Sequence, residues 1–174
     1  KTLWNFANGI DNSTVETLQE KAKGIGNSTT VSKDITNAED AYKVLMSLAE
    51  SVGGRLRKEK QLAGNVCCEI KYNNFQSVSH QRQLARKTNT DMMLYETACE
   101  LFRELWNGEP IRLLGIRTSK LADETEPEQM SIFDFQSEME QEVTKNEKQE
   151  KLDKALDQIR KKFGEDAIVR GSLK

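Results

Sequence analysis

Between Val66 and Tyr72 apolar and polar residues alternate. Val66, Cys68, Ile70 and Tyr72 fall on one side of an extended chain, and Cys67, Glu69 and Lys71 on the other. This is the period-two signature of a strand with one buried face. A tight turn at Tyr72-Asn73-Asn74-Phe75 follows. The chain from Phe75 to Gln83 then changes character to serine, glutamine, histidine and arginine, with little to bury. The two runs predict a hairpin from about Leu62 to Arg86. A strand that is polar at nearly every position faces something outside the protein, and the backbone of a nucleic acid is the expected ligand.

The flanking chain has the same kind of punctuation. Asn27 to Ile35 is rich in β-branched residues and reads as a first strand. Thr36-x-x-Glu39 forms a capping box, and a helix follows with Ala41, Val44, Leu45, Leu48 and Val52 on one stripe. Gly53-Gly54 is expected to end it, leaving a short basic run from Arg55 to Lys60. A second helix, capped at Thr90 or Asp91, carries Leu94, Ala98, Leu101, Phe102 and Leu105 as its buried stripe and stops at Asn107-Gly108-Glu109-Pro110. Ile111 to Ser119 is the fourth strand. The order is β-α-β-β-α-β, an α+β fold: a mostly antiparallel four-stranded sheet with two helices on one face and the other face open.

The ends differ from this module. Lys1 to Ile10 is a short apolar helix end, with Trp4 and Phe6 as anchors for a partner domain, stopped by Asn8-Gly9. Asp11 to Gly26 reads as a linker. Its Gly24-Ile25-Gly26 follows no strand and precedes no Lys-Ser/Thr, so it is no phosphate cradle. Residues 122–150 have the acidic, apolar-poor composition of a flexible tail. Within them, Gln129 to Phe135 is a compact apolar cluster: a short docking motif, a lid on the domain or a chance hydrophobic patch. Lys151 to Phe163 is a third helical stretch, with Leu152, Ala155, Leu156, Ile159 and Phe163 on one face and a Lys- and Arg-rich opposite face. It would dock on the sheet domain or lie free. Ala167 to Gly171 is a candidate short strand.

Composition narrows the function. The 174 residues are 36% hydrophobic and 31% charged, with a mean hydropathy of -0.71, enough for one domain plus tails. No run of about 18 apolar residues exists, so no membrane association is expected. The chain starts at Lys1 rather than Met, as expected of an internal fragment. The net charge of -2 is unevenly placed. From Gly53 to Thr90 there are eight basic side chains against two acidic ones, and from Asp123 to Glu150 ten acids against two lysines. A segregated basic stretch suits a phosphate-binding surface. The three cysteines, two of them adjacent as Cys67-Cys68, form no Cys-x-x-Cys. They read as core-filling thiols in a reducing cytoplasm. With His80 the single histidine, no zinc site is expected.

No catalytic constellation is visible, so the chain reads as a binding module. Asn27, Ser28, Thr29 and Thr30 on the first strand, and Ser79, His80, Gln81, Arg82 and Gln83 on the third, offer hydroxyl, amide and cationic donors of the kind that position a protein on phosphates. Exposed aromatic residues for base stacking are scarce, which favours duplex backbone tracking over single-strand recognition. A protein-interaction module and an RNA-binding α+β domain remain alternatives.

The segments GNSTTVSKDI, CCEIKYNNFQSVSHQRQL and NGEPIRLLGIRTSKL, in this order around two helices, closely resemble the little finger domain of Y-family DNA polymerases, the bacterial translesion enzymes in particular. The resemblance implies the end of a thumb domain at 1–11, a linker at 12–25 and a little finger at 26–121. An acidic tail at 122–150 and an amphipathic helical segment at 151–174 follow. It further implies that the open sheet lies in the major groove of a primer-template duplex, gripped through Asn27 to Thr30 and Ser79 to Gln83. The parent enzyme would use palm carboxylates and Mg2+; neither those carboxylates nor any cofactor is expected in this chain. Gln129-Met130-Ser131-Ile132-Phe133 resembles the pentapeptide that binds the bacterial sliding clamp, the β subunit of the replicative polymerase. By that resemblance Gln129 hydrogen-bonds at the mouth of a clamp pocket, and Met130, Ile132 and Phe133 fill apolar subsites.

Overall fold

Among the described residues the chain forms α1 (Thr2–Ala7), β1 (Gly24–Ile35), α2 (Ala38–Lys58), β2 (Gln61–Tyr72), β3 (Ser77–Thr88), α3 (Asp91–Leu105), β4 (Ile111–Asp123) and α4 (Met139–Phe163). The computed structural model describes residues 2–11, 22–125, 139–164, 167–168 and 170–171, without the side chains of 139–147. The four strands form one antiparallel sheet in the order β1-β4-β2-β3. The α+β architecture and its element order are as the hydrophobic pattern predicts. Helices α2 and α3 cover one face, burying Leu45, Val52, Leu56, Leu94, Leu101 and Phe102 against Val66, Cys68, Ile70, Leu114 and Ile116 of the sheet. Phe102 lies at the centre, stacked on Trp106 at 5.4 Å and edge-on to Tyr42 at 5.7 Å.

Several boundaries differ from expectation, each for a local reason. The cap of α2 is Asn37 rather than Thr36: its side chain accepts a hydrogen bond from the Asp40 backbone N–H at 2.8 Å. Gly53-Gly54 does not end α2. A Cβ at Gly53 would lie 2.2 Å from Asp91 Oδ1, so this glycine makes room for α3 inside a continuing helix. The helix ends instead where Lys60 adopts a left-handed backbone (φ 52°), its N–H donating to Arg57 O at 3.2 Å. Strand β1 starts at Gly24, inside the expected linker. A Cβ there would lie 2.4 Å from Thr118 O, so the glycine permits the close approach of β4. Strand β4 runs on to Asp123, past Ser119. None of the described residues from 167 to 171 is strand.

Helix α4 begins at Met139 rather than Lys151, inside the stretch expected to be a flexible acidic tail. That stretch is rich in Glu, Lys and Gln, which propagate a helix well despite their polarity. Its expected apolar stripe does not face the domain: Leu152 is 49%, Ile159 36% and Phe163 66% exposed, whereas Asp153 is fully buried. Charges attach the helix. Arg57 of α2 donates to Asp157 at 2.6 Å, to Asp91 of α3 at 2.8 Å and to Asn89 O at 2.8 Å. Asp153 accepts from the Asp91 backbone N–H at 3.0 Å, so α4 supplies an acceptor to the otherwise unsatisfied first turn of α3. Arg170 closes the cluster, reaching Glu50 at 2.7 Å, Asp153 at 2.8 Å and Asp91 at 3.2 Å. Burial pushes the Asp91 carboxyl up to about 6, against the pull of Arg57.

Candidate nucleic-acid interface

The phase of the edge strand β3 is set at its turn. Phe75 N–H donates to Tyr72 O at 3.0 Å, and Tyr72 N–H donates to Gln76 O at 2.9 Å. The loop is therefore the three residues Asn73 to Phe75, with Phe75 in the left-handed region (φ 66°), where such loops usually place glycine. Asn74 Oδ1 braces it by accepting from the Gln76 N–H at 2.9 Å. From this turn the register runs Ile70 opposite Val78, Cys68 opposite His80 and Val66 opposite Arg82. Residues directly opposite each other share a face, and Val66, Cys68 and Ile70 are buried beneath the helices. His80 and Arg82 thus lie on the helix side, while Ser79, Gln81 and Gln83 lie on the open side.

The helix-side pair is engaged by α3. Arg82 forms ion pairs with Glu100 and Glu104, and His80 Nδ1 lies 3.1 Å from Glu104. On β1, Asn27 and Thr29 stand opposite the core residues Ile116 and Leu114, and Asn27 donates to Ser51 of α2 at 3.0 Å. Ser28 and Thr30, opposite Gly115 and Leu113, take the open side. The nine residues expected to share one surface are therefore divided. Ser28, Thr30, Ser79, Gln81 and Gln83 are brought together on the open face. Asn27, Thr29, His80 and Arg82 are turned to the helix layer.

The sequence reading missed the centre of the open face, which comes from β4. Arg117 stands opposite Gly26 on one side and Cys67 on the other, 63% exposed, with Nη2 3.3 Å from Glu69 Oε2. Lys120 Nζ donates to Gln83 Oε1 at 2.6 Å, tying a second cation to the same surface. The alternation of Ile116, Arg117 and Thr118 around a buried strand was the available signal. Gly24, Gly26 and Gly115 floor a depression of about 820 Å³ beside Arg117. A Cβ at Gly26 would meet Ile116 O at 3.0 Å and one at Gly115 would meet Ser28 Cβ at 3.1 Å, so the face is kept flat enough for another backbone to approach.

Burial pushes the thiols of Cys67, Cys68 and Cys99 up, Cys68 to about 12. Among the described residues no group of three or more His, Cys, Asp or Glu is arranged to hold a metal ion. No described helix is long and apolar enough to cross a membrane. Gln129, Met130, Ile132 and Phe133 lie outside the described residues.

Known proteins resemble this chain in both sequence and fold. It is 38% identical over 173 residues to the DNA polymerase IV of Clostridium acetobutylicum, covering 98% of this chain and 41% of the relative. It is 39% identical to that of Clostridium kluyveri, covering 98% and 43%. The chain thus spans about two fifths of the length of these curated relatives. The solved post-insertion binary complex of Dbh DNA polymerase contains a similar fold, with a TM-score of 0.53 at 14% identity over 70% of this chain and 35% of that one. The profile of the impB/mucB/samB family C-terminal domain matches residues 22–132, more than half of the chain and the whole of the sheet domain, and the chain therefore belongs to that family.

Proposed function

We propose that this chain is the DNA-gripping, clamp-docking region of an error-prone Y-family polymerase of the DNA polymerase IV type, which acts in translesion synthesis in the bacterial cytoplasm. Residues 1–11 would end the thumb domain, 12–25 link it to a little finger at 26–121, and the remaining residues carry the clamp motif and α4. The observation that carries the reading is the open sheet face, lined by hydroxyl and amide side chains and centred on Arg117. Its two polar rows, Ser28 with Thr30 and Ser79 with Gln81 and Gln83, lie on opposite edge strands. Three strand spacings of about 4.8 Å separate those edges by about 14 Å. A duplex major groove is about 12 Å wide, so each row would meet one phosphate wall, with Arg117 of β4 reaching the phosphates beside the β1 row. Such contacts position without reading sequence, as a polymerase that must travel along any template requires. Nucleotidyl transfer itself would belong to palm carboxylates and Mg2+ in the parent enzyme. Docking on the sliding clamp would fall to Gln129, Met130, Ile132 and Phe133.

Fluorescence anisotropy with a labelled primer-template duplex tests the grip. Arg117→Ala is expected to weaken binding and to lower the slope of log K against log salt by about one unit. Arg82→Ala, on the helix side, is expected to leave that slope unchanged. An unchanged slope for Arg117→Ala would count against the open face as the duplex surface. Tighter binding of single-stranded RNA than of the duplex would favour an RNA-binding domain. Gln129→Ala combined with Phe133→Ala is expected to abolish clamp binding and leave duplex binding intact.

A further inference from the structure

Among the described residues from β1 to β4, Phe75 is the one large hydrophobic side chain left exposed, at 71%. Its backbone is left-handed (φ 66°), a conformation that strains a bulky residue and that glycine adopts freely. The tip is nonetheless firmly held. Asn73 N–H donates to Pro110 O at 3.0 Å, Asn74 Oδ1 accepts from the Gln76 N–H at 2.9 Å, and Asn74 Nδ2 donates to Glu109 at 3.4 Å. A strained, exposed and rigidly held aromatic side chain is more than a turn needs to reverse the chain, and such strain collects where a ligand is met.

The ring belongs to the open face. Lys71 lies on that side, opposite Leu113 of β4 and Ser77 of β3, and its Nζ sits over the Phe75 ring at 5.4 Å. Leu113 is half-buried, so this end of the face is apolar with a cation beside it, whereas the rest is hydroxyl, amide and guanidinium. Four residues along β2 separate Lys71 from Cys67, the neighbour of Arg117, a distance of about 14 Å. Strand β1 enters at Gly24, level with Ser119, Asn65 and Gln83, and β4 leaves at Asp123 opposite Gln61, all at the end of the sheet away from the tip. The flanking segments of the chain therefore attach far from Phe75, and the surface continuous with it is the polar face. Within a duplex the base faces are hidden by stacking, so an aromatic ring finds a free one only where pairing stops. We propose that Phe75 is a stacking platform for an unpaired template base at the point where duplex gives way to single strand, with Leu113 beside the base and Lys71 at its phosphate. This rests on the duplex reading of the open face. It adds to a grip that is blind to sequence a means of recognising the junction at which synthesis proceeds.

Fluorescence anisotropy of the whole chain tests this with DNAs that share one duplex and differ at its end: blunt, extended by a single-stranded template overhang, or extended by an overhang of abasic sugar-phosphate. The base-bearing overhang is expected to tighten binding about tenfold over the blunt duplex, and the abasic one by less than about twofold. Phe75→Gly is expected to remove that gain while holding or raising Tm, because glycine suits the left-handed backbone. The abasic comparison uses the unmodified chain, so it stands even if the variant folds poorly. An equal gain from the abasic overhang assigns the effect to phosphate charge and overturns the proposal. So does the absence of any gain with the unmodified chain. A fall in Tm with the gain intact in Phe75→Gly marks a residue that only builds the turn, and overturns it too. If the blunt duplex is still bound in these cases, the duplex reading survives; no binding of any of the DNAs overturns both.

Discussion

Replacing Arg57 by alanine removes the cation around which the α2-α3-α4 junction is assembled. Its side chain is 5% exposed and faces Asp91 at 2.8 Å, Asp153 at 3.7 Å and Asp157 at 2.6 Å. Asp91 and Asp153 are 1% and 0% exposed, so neither regains water when the guanidinium is lost. Breaking a buried pair in this way costs about 3–5 kcal/mol. Arg170 still reaches both carboxylates, at 3.2 and 2.8 Å, which places the expected loss near the lower end, about 3 kcal/mol. For a chain of this size that corresponds to a fall in Tm of about 6–12 °C, measurable by circular dichroism. Arg57→Ala with Asp153→Ala is expected to cost less than the two single changes together, because each removes the other's partner. A fall below about 2 °C, or strict additivity of the pair, would refute the assignment of Arg57 as the charge that balances the junction.

Three further outcomes are expected. Gly53→Ala, which in an open helix would add about 1 kcal/mol, is expected instead to destabilise by about 2 kcal/mol in chemical unfolding, because its Cβ meets Asp91 Oδ1 at 2.2 Å. Lys60→Gly is expected to raise stability by about 1 kcal/mol, relieving a left-handed backbone at an exposed helix end. The raised Asp91 carboxyl makes a pH test possible: the folded state holds its proton up to about pH 6, whereas an unfolded aspartate loses it near 3.8. The stability that Asp91 contributes relative to Asp91→Asn is therefore expected to be fullest below about pH 4 and to decline as the pH rises through about 6. A difference between the two proteins that is flat from pH 4 to 7 would contradict that.

The element order was legible because α2, α3 and β2 each carry an unambiguous apolar period. The face of β3 was not, and one residue at the turn explains why. Closing the hairpin between Tyr72 and Phe75 would set Cys68 opposite Ser79 and send His80 and Arg82 outward. The observed loop closes Tyr72 to Gln76, and a slip of one residue exchanges the two faces of the whole strand. A strand polar on both sides carries no pattern to expose the error. Arg117 escaped notice because β4 was read for its apolar centre. The stripe of α4 was visible, but its orientation was not, since the helix is held by charges contributed from four separate segments.

The same polar strand has a consequence for how the molecule behaves among its copies. Among the described residues strand β3 pairs only with β2, so one side of its backbone is an open row of hydrogen-bonding groups there, a template on which another chain could extend the sheet. Ser79, Gln81 and Gln83 leave no apolar ridge on its outward surface, and Arg82, locked to Glu100 and Glu104, sets ionic bulk beside the edge. An incoming strand would have to strip water from all of these groups and would gain little burial in return. The composition that suits the open face to a hydrated ligand therefore also protects the domain from edge-to-edge aggregation at high concentration.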